Sequence, residues 1–148
     1  INMVPSTSVG SLLVPGDTFQ VGDSYHLKIG GLIATSSNNH NVAFDVISTT
    51  GTIASTQLID LGNLTNSVFE IELDMTVRAI GGPGVARIVT NGQITITEPG
   101  PAYVGENILE ASDNTFDTTL ANQIQVNARF GFAGDSIVVT HFVLTKTY

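Results

Sequence analysis

The stretch from Val68 to Ile80, VFEIELDMTVRAI, decides the fold, because apolar and polar side chains alternate along its whole length. The apolar members are Phe69, Ile71, Leu73, Met75, Val77 and Ala79, and the polar members are Glu70, Glu72, Asp74, Thr76 and Arg78. Period two over this length indicates a β-strand with one face in a core and one face in water. A one-residue slip would bury the carboxylates, so the register of this strand is firmly set.

The rest of the chain also has the composition of a β-protein. Ile, Val and Thr make up about a third of the 148 residues, and β-branched side chains fit a pleated sheet better than a helix. Short β-rich segments bounded by turn residues predict further strands on both sides of the central one. We expect eight strands, and those besides Val68–Ile80 are Ser11–Val14, Ser24–Ala34, Val42–Ser48, Thr52–Leu61, Val85–Glu98, Gln123–Phe132 and Ser136–Tyr148.

Two segments leave the secondary structure open. Val85 to Glu98 is either one long strand or two strands joined at Asn91-Gly92, a pair with a strong type I′ hairpin preference. Pro99 to Asp117 has no clear period, and Glu106 to Ser112 is compatible with a helical turn. Neither segment changes the expectation of an all-β protein.

Eight strands joined mostly by short turns predict an antiparallel β-sandwich, either a jelly roll or an immunoglobulin-like arrangement. We favour the jelly roll, because several strands run to about ten residues and because the Cys and Trp core markers of antibody domains are missing. Residues 1–10 are small and polar and are expected to form an N-terminal arm or linker. Residues 11–148 are expected to form a single jelly-roll domain.

Composition also restricts the possible partners. The chain has 5 Lys and Arg against 13 Asp and Glu and a net charge of -8, so few groups can release counterions from nucleic acid. No apolar run approaches the roughly 18 residues that span a bilayer. Cysteine is absent, which removes disulfides and thiolate sites. We therefore expect neither a nucleic-acid partner nor membrane insertion.

The last predicted strand is apolar on both faces. Its apolar residues are Ile137, Val138, Val139, Phe142, Val143 and Leu144. Such a strand is either central in its sheet or covered by another subunit. For the second case the candidate oligomer interface consists of Ile137, Val139, Phe142, Val143 and Leu144.

No residue pattern in the chain announces catalysis. His26, His40 and His141 belong to no spaced ligand motif, and no nucleophile motif such as G-x-S-x-G is present. The carboxylates of Glu70, Glu72 and Asp74 share one strand face, which favours a soluble surface over a Ca²⁺ site or a glycosidase pair. We expect a non-enzymatic protein with no catalytic residues, no metal site and no cofactor.

A carbohydrate-binding module is the alternative function. Sugar-binding sandwiches usually present an exposed Trp or Tyr as a stacking platform, and this chain has no Trp and three Tyr. Tyr25 falls on the apolar face of its strand, so Tyr103 is the best-placed tyrosine. Tyr103 and His40 are the candidate contacts to a host or cell-surface glycan.

Four segments together resemble structural proteins of tailed bacteriophages and related viruses, in particular capsid-decoration, spike and fibre-head domains. They are VGDSYHLKIGG at 21–31, FEIELDMTVRAIGG at 69–82, NTFDTT at 114–119 and LTKTY at 144–148. The resemblance implies a jelly-roll domain, commonly a homotrimer, that builds or decorates the virion or touches a host surface. It also implies other virion proteins as partners and the virion as the location.

Overall fold

The computed structural model describes residue 3 and residues 13–36, 40–98, 103–112 and 115–148, and the side chains of residues 111 and 112 are not described. These residues form eleven β-strands and, within the described ranges, no helix. The strands are β1 Leu13–Val14, β2 Ser24–Ala34, β3 His40–Ser48, β4 Gly51–Ser55, β5 Ile59–Leu61, β6 Ser67–Ala79, β7 Arg87–Thr97, β8 Tyr103–Ser112, β9 Asn122–Gln123, β10 Gln125–Phe130 and β11 Ser136–Lys146. These described residues contain no helix that is long and apolar enough to cross a membrane.

The strands form two main antiparallel sheets. The larger sheet has five strands in the order β11-β2-β6-β7-β8. The smaller one has the order β10-β3-β4, and β5 also pairs with β3. A short third pair joins β1 to β9. The prediction of an all-β, sandwich-like fold is therefore confirmed.

The core lies between the inner faces of the two main sheets. On β6 the alternation expected from the sequence is realised, since all five apolar side chains from Phe69 to Val77 are at most 1% exposed. Phe69 meets Phe44 of the opposite sheet with ring centroids 6.5 Å apart. Burying each large apolar side chain stabilises the fold by about 1.5–3 kcal/mol. Strand β6 therefore anchors the larger sheet to the core.

The segment between Val85 and Glu98 folds as one strand, β7, so the hairpin alternative is not realised. Asn91 and Gly92 lie in the middle of this strand and pair with Asp74 and Leu73 of β6. Glycine is required there for a close approach, because a Cβ at Gly92 would lie 2.1 Å from the carbonyl oxygen of Glu72. The Asn-Gly pair therefore serves strand packing instead of a turn.

The suggestion of a helical turn at Glu106 to Ser112 is wrong, because this segment belongs to strand β8. Its apolar residues Val104 and Ile108 are four positions apart, a spacing that fits one face of a helix as well as one face of a strand. The position between them on the same strand face is Glu106, which conceals the alternation. Pairing with β7 along ten residues overrides this weak local preference.

Of the predicted arm at residues 1–10, only Met3 is described. Its side chain is 2% exposed and joins the core, and its backbone N–H donates to Val126 O at 2.9 Å. The other residues of the predicted arm lie outside the described residues.

Candidate functional site

Within the described ranges, strand β11 lies at the edge of the five-stranded sheet, and its one pairing is with β2. The first of the two alternatives for an apolar last strand, a central position in its sheet, is therefore wrong. An edge strand leaves one row of backbone N–H and C=O groups without a ladder partner, and such a row is a template for pairing with another chain. The second alternative, in which another subunit covers the strand, is compatible with this edge position.

A β-bulge sorts the side chains of β11 onto two faces. The pairing with β2 shifts between Val139 and His141, so Thr140 is the extra residue. Its hydroxyl donates to Gly30 O at 3.1 Å. Because a bulge moves the following residues to the opposite phase, Phe142 falls on the same face as Val139. The core-facing set then consists of Ile137, Val139, Phe142 and Leu144, each partly buried against the core.

The other face of β11 presents aliphatic side chains to solvent. Val138 is 58% exposed and Val143 is 48% exposed. Val138 pairs in register with Leu32 of β2, which in turn pairs with Val68 of β6. Val68 is 57% exposed, so Val138, Leu32 and Val68 form an aliphatic row across three strands. We name β11 together with this row the β11 edge.

Most of the predicted interface set faces the core of its own chain. Ile137, Val139, Phe142 and Leu144 point inward, and only Val143 points outward. The outward row adds Val138, Leu32 and Val68, which the predicted set lacked. The sequence alone could not place them together, because the row depends on the register of three strands and on the bulge.

The charge pattern also sets the β11 edge apart. No Asp or Glu occurs from Ser136 to Tyr148, although the chain has 13 acidic residues. Lys146 at the end of the strand pairs with Asp23, with Nζ to Oδ1 at 2.7 Å. Burial acts to raise the pKa of Asp23, but hydrogen bonds from Lys146 and the Gln20 amide outweigh it, so the pKa of Asp23 lies below its ordinary value.

The opposite edge of the same sheet is built differently. Strand β8 packs against β4 and β5 of the smaller sheet, whereas β11 makes its close contacts with β2. Glu106 and Glu110 lie on the inward face of β8, as their pairing with the core-facing Ile94 and Thr90 of β7 requires. Glu110 Oε2 accepts a hydrogen bond from Ser55 N at 2.9 Å. Inward-pointing charges are a known protection of sheet edges.

The carboxylate row of β6 is paired with basic side chains of β2. Asp74 Oδ1 lies 2.9 Å from His26 Nδ1, and Glu72 Oε1 lies 3.4 Å from His26 Nε2. The Lys28 ammonium hydrogen-bonds to Glu70 and holds the pKa of Glu70 below its ordinary value. The described residues contain no group of three or more His, Cys, Asp or Glu side chains that could hold a metal ion. These carboxylates are therefore paired with His26 and Lys28 on the outer surface of the sheet.

The two candidate glycan contacts lie in different environments. Tyr103 on β8 is 75% exposed, whereas His40 on β3 of the smaller sheet is 3% exposed. The imidazole of His40 stacks on Phe132 with centroids 4.2 Å apart, and its Nδ1 lies 2.6 Å from Asp135 Oδ1. The structure does not bring Tyr103 and His40 together, and His40 is instead paired with Asp135, which is remote in sequence.

Comparison with protein-family models, curated proteins and solved structures gives no match to this chain. The resemblance to bacteriophage structural proteins stays a prediction that rests on the four quoted segments.

Proposed function

We propose that this chain is a non-enzymatic virion structural protein that assembles as a homotrimer through the β11 edge. Its task is that of a capsid-decoration, spike or fibre-head domain, its partners are further copies of itself and other virion proteins, and its location is the virion. The observation that carries the proposal is an apolar edge strand with exposed valines on one face and partly buried side chains on the other.

The charge distribution supports a second copy as the occupant of this edge. Two chains of net charge -8 repel each other, and contact is least unfavourable where carboxylates are absent. The β11 edge strand has none from Ser136 onward. Fully burying a valine gains about 1.5–3 kcal/mol, so contact at Val138 and Val143 favours association where repulsion is smallest.

A jelly-roll arrangement is part of the same proposal. It is supported by the nested pairing of chain ends, in which β2 pairs with β11 and β3 pairs with β10. The described residues form eleven strands where eight were expected, because Thr52–Leu61 divides into β4 and β5 and Gln123–Phe132 into β9 and β10, and because β8 was not expected. Eight of the eleven have five or more residues. The serial order β6-β7-β8 is a simple meander within this arrangement.

Symmetry restricts how the β11 edge is used. Two β11 strands that pair with each other produce a dimer with a twofold axis. In a trimer, β11 of one copy instead packs against a different surface of the next copy, and the contact closes after three steps. The native mass distinguishes these two arrangements.

The test is the mass of the native protein, measured by light scattering coupled to size exclusion at several protein concentrations with and without EDTA. We expect a stable mass near three times 15.5 kDa that EDTA does not change. A mass of twice 15.5 kDa would contradict the trimer. A monomer at every concentration would overturn self-assembly as the function.

A further inference from the structure

The outward face of β7 and β8 has a chemistry of its own. On β2 and β6 the outward positions carry the ion pairs of His26 and Lys28 with the carboxylate row. On β7 and β8 the described outward side chains from Val89 onward are uncharged, and the charged exception is the exposed Arg87 at the first position of β7. The uncharged ones are Val89, Asn91, Gln93, Thr95, Thr97, Tyr103, Asn107 and Leu109. An exposed surface of amides, hydroxyls and one aromatic ring is complementary to a neutral, hydroxyl-rich ligand.

A depression lies within this face at the outer end of β8. Its volume is about 280 Å³, and its lining includes Tyr103, Gly105, Asn107, Gln93 and Thr95. Gly105 has no side chain and forms the low point between Tyr103 and Asn107. A Cβ at Gly105 would lie 2.3 Å from Ile94 O, so the close approach of β7 requires this glycine. The depression is therefore a consequence of strand packing.

Two side-chain amides stand next to each other beside the depression. Gln93 and Asn107 are directly paired across β7 and β8, and both are exposed. Neither amide is hydrogen-bonded to another residue in the part of the chain that the structure describes. Each amide offers donors and an acceptor, and opposite positions on paired strands have Cβ atoms about 4.5–5.5 Å apart. The pair is therefore ready to bind adjacent hydroxyl groups.

We propose that this face binds a neutral oligosaccharide, with one pyranose ring on the Tyr103 ring and hydroxyl groups on Gln93 and Asn107. Tyr103 is four residues from Asn107, about 13 Å along the strand, so the ligand has at least two sugar units. Glu106 in the same lining and the net charge of -8 disfavour acidic sugars. In this site Tyr103 acts with Gln93 and Asn107, and not with His40 as the sequence suggested. Glycan binding would be a second function beside the proposed assembly of the virion.

The assembly edge and the glycan site lie at opposite ends of the sheet. Five strands about 4.8 Å apart place β8 about 19 Å from β11. We place the surface of the next copy that receives β11 outside β7 and β8, so that the β8 face stays open in every copy. Several sites on one oligomer would raise the avidity for a glycan-covered surface.

The experiment is an NMR titration of the full chain with neutral di- to tetrasaccharides of hexoses and N-acetylhexosamines, and with acidic oligosaccharides of equal length. We expect at least one neutral ligand to shift the backbone amides of Gln93, Gly105 and Asn107. Tyr103→Ala should weaken this binding by about tenfold, since an aromatic contact contributes about 1.5 kcal/mol or less beyond its buried area.

Tyr148→Ala is the matched control, because Tyr148 is 84% exposed and lies outside the depression. This variant should bind like the wild type. The proposal is overturned if no neutral oligosaccharide binds at millimolar concentration, if the shifts lie on another face, or if acidic ligands bind as well as neutral ones. None of these outcomes affects the native mass, so failure here is separate from failure of the assembly proposal.

Discussion

The two edge strands of the five-stranded sheet, β8 and β11, are protected in opposite ways. Strand β8 is covered by β4 and β5 of its own chain and carries two inward glutamates, one of which bonds to Ser55. Strand β11 makes its close contacts with β2, carries no carboxylate and has two exposed valines on its outer face. We propose contact with another copy at β11, because this edge strand carries no carboxylate.

The largest expected effect is the loss of assembly when charge is placed on the β11 edge. Val138→Glu combined with Val143→Glu removes apolar contact and adds repulsion between chains of net charge -8. We expect the dissociation constant to rise by at least about 100-fold, since each buried valine contributes about 1.5 kcal/mol or more. Sedimentation velocity should then give the monomer mass of 15.5 kDa.

Leu109→Glu on β8 is the matched control, because Leu109 is 79% exposed on the outer face of the opposite edge. This variant should keep the wild-type mass. If the double β11 variant keeps the wild-type mass, then β11 is no more important for assembly than β8.

The second effect compares one isoleucine from each edge. Ile108 of β8 is 2% exposed, whereas Ile137 of β11 is only partly buried. Ile108→Ala should lower the free energy of unfolding by about 2–4 kcal/mol. Ile137→Ala should lower it by about 1–2 kcal/mol, because less apolar surface is removed from water.

These two losses should be measured by urea unfolding in the Val138→Glu, Val143→Glu background, which has no partner chain to cover β11. Equal losses at the two positions would show that a single copy buries both edges to the same extent.

The third effect is a pH dependence at the end of β11. The pKa of Asp23 is lower in the folded chain than in the unfolded chain, so its ion pair with Lys146 stabilises the fold at neutral pH. This contribution is lost as the pH falls below about 4. Lys146→Met should therefore move the acid-unfolding midpoint, followed by circular dichroism, to higher pH.

Lys28→Met is the comparison variant, because the Lys28–Glu70 pair is about half exposed while Asp23 is 7% exposed. Its acid midpoint should move less than that of Lys146→Met. An equal shift would show that the change in net charge alone causes the effect. The ion pair of Asp23 with Lys146 would then make no specific contribution to stability.

The smallest effect concerns the glutamate that closes β8. Glu110→Ala removes the acceptor for Ser55 N and should cost about 0.5–1 kcal/mol. Glu110→Gln keeps an acceptor oxygen at the same position and should cost less. Thermal unfolding measures both changes, and identical melting temperatures of the two variants would show that this hydrogen bond does not secure the edge.

The sequence located most strands well, including the edge strand β11, but it missed the edge strand β8. Period-two alternation located β6 to within one residue at each end, and the segment from Ser24 to Ala34 matches β2. Strand β8 was missed because Glu106 and Glu110 occupy inward positions, so the feature that protects the edge also erases its periodicity. The central strand β6 shows its burial in its sequence, whereas the edge strand β8 does not.

The candidate site was also only partly predictable from the sequence. The apolar character of the last strand was visible in the sequence, but the bulge at Thr140 decides which side chains face outward. His40 and Asp135 meet across a separation that no local pattern encodes. The amide pair of Gln93 and Asn107 depends on the β7–β8 register, which could not be derived without recognising β8.

The most direct test of the difference between the edges is amide hydrogen exchange at residues 136–146 and 103–112, followed by mass spectrometry at low and high protein concentration. We expect exchange in β11 to slow as the concentration rises and exchange in β8 to stay the same. Exchange in β11 that does not change with concentration, or protection that grows at β8 instead, would contradict assembly through the β11 edge.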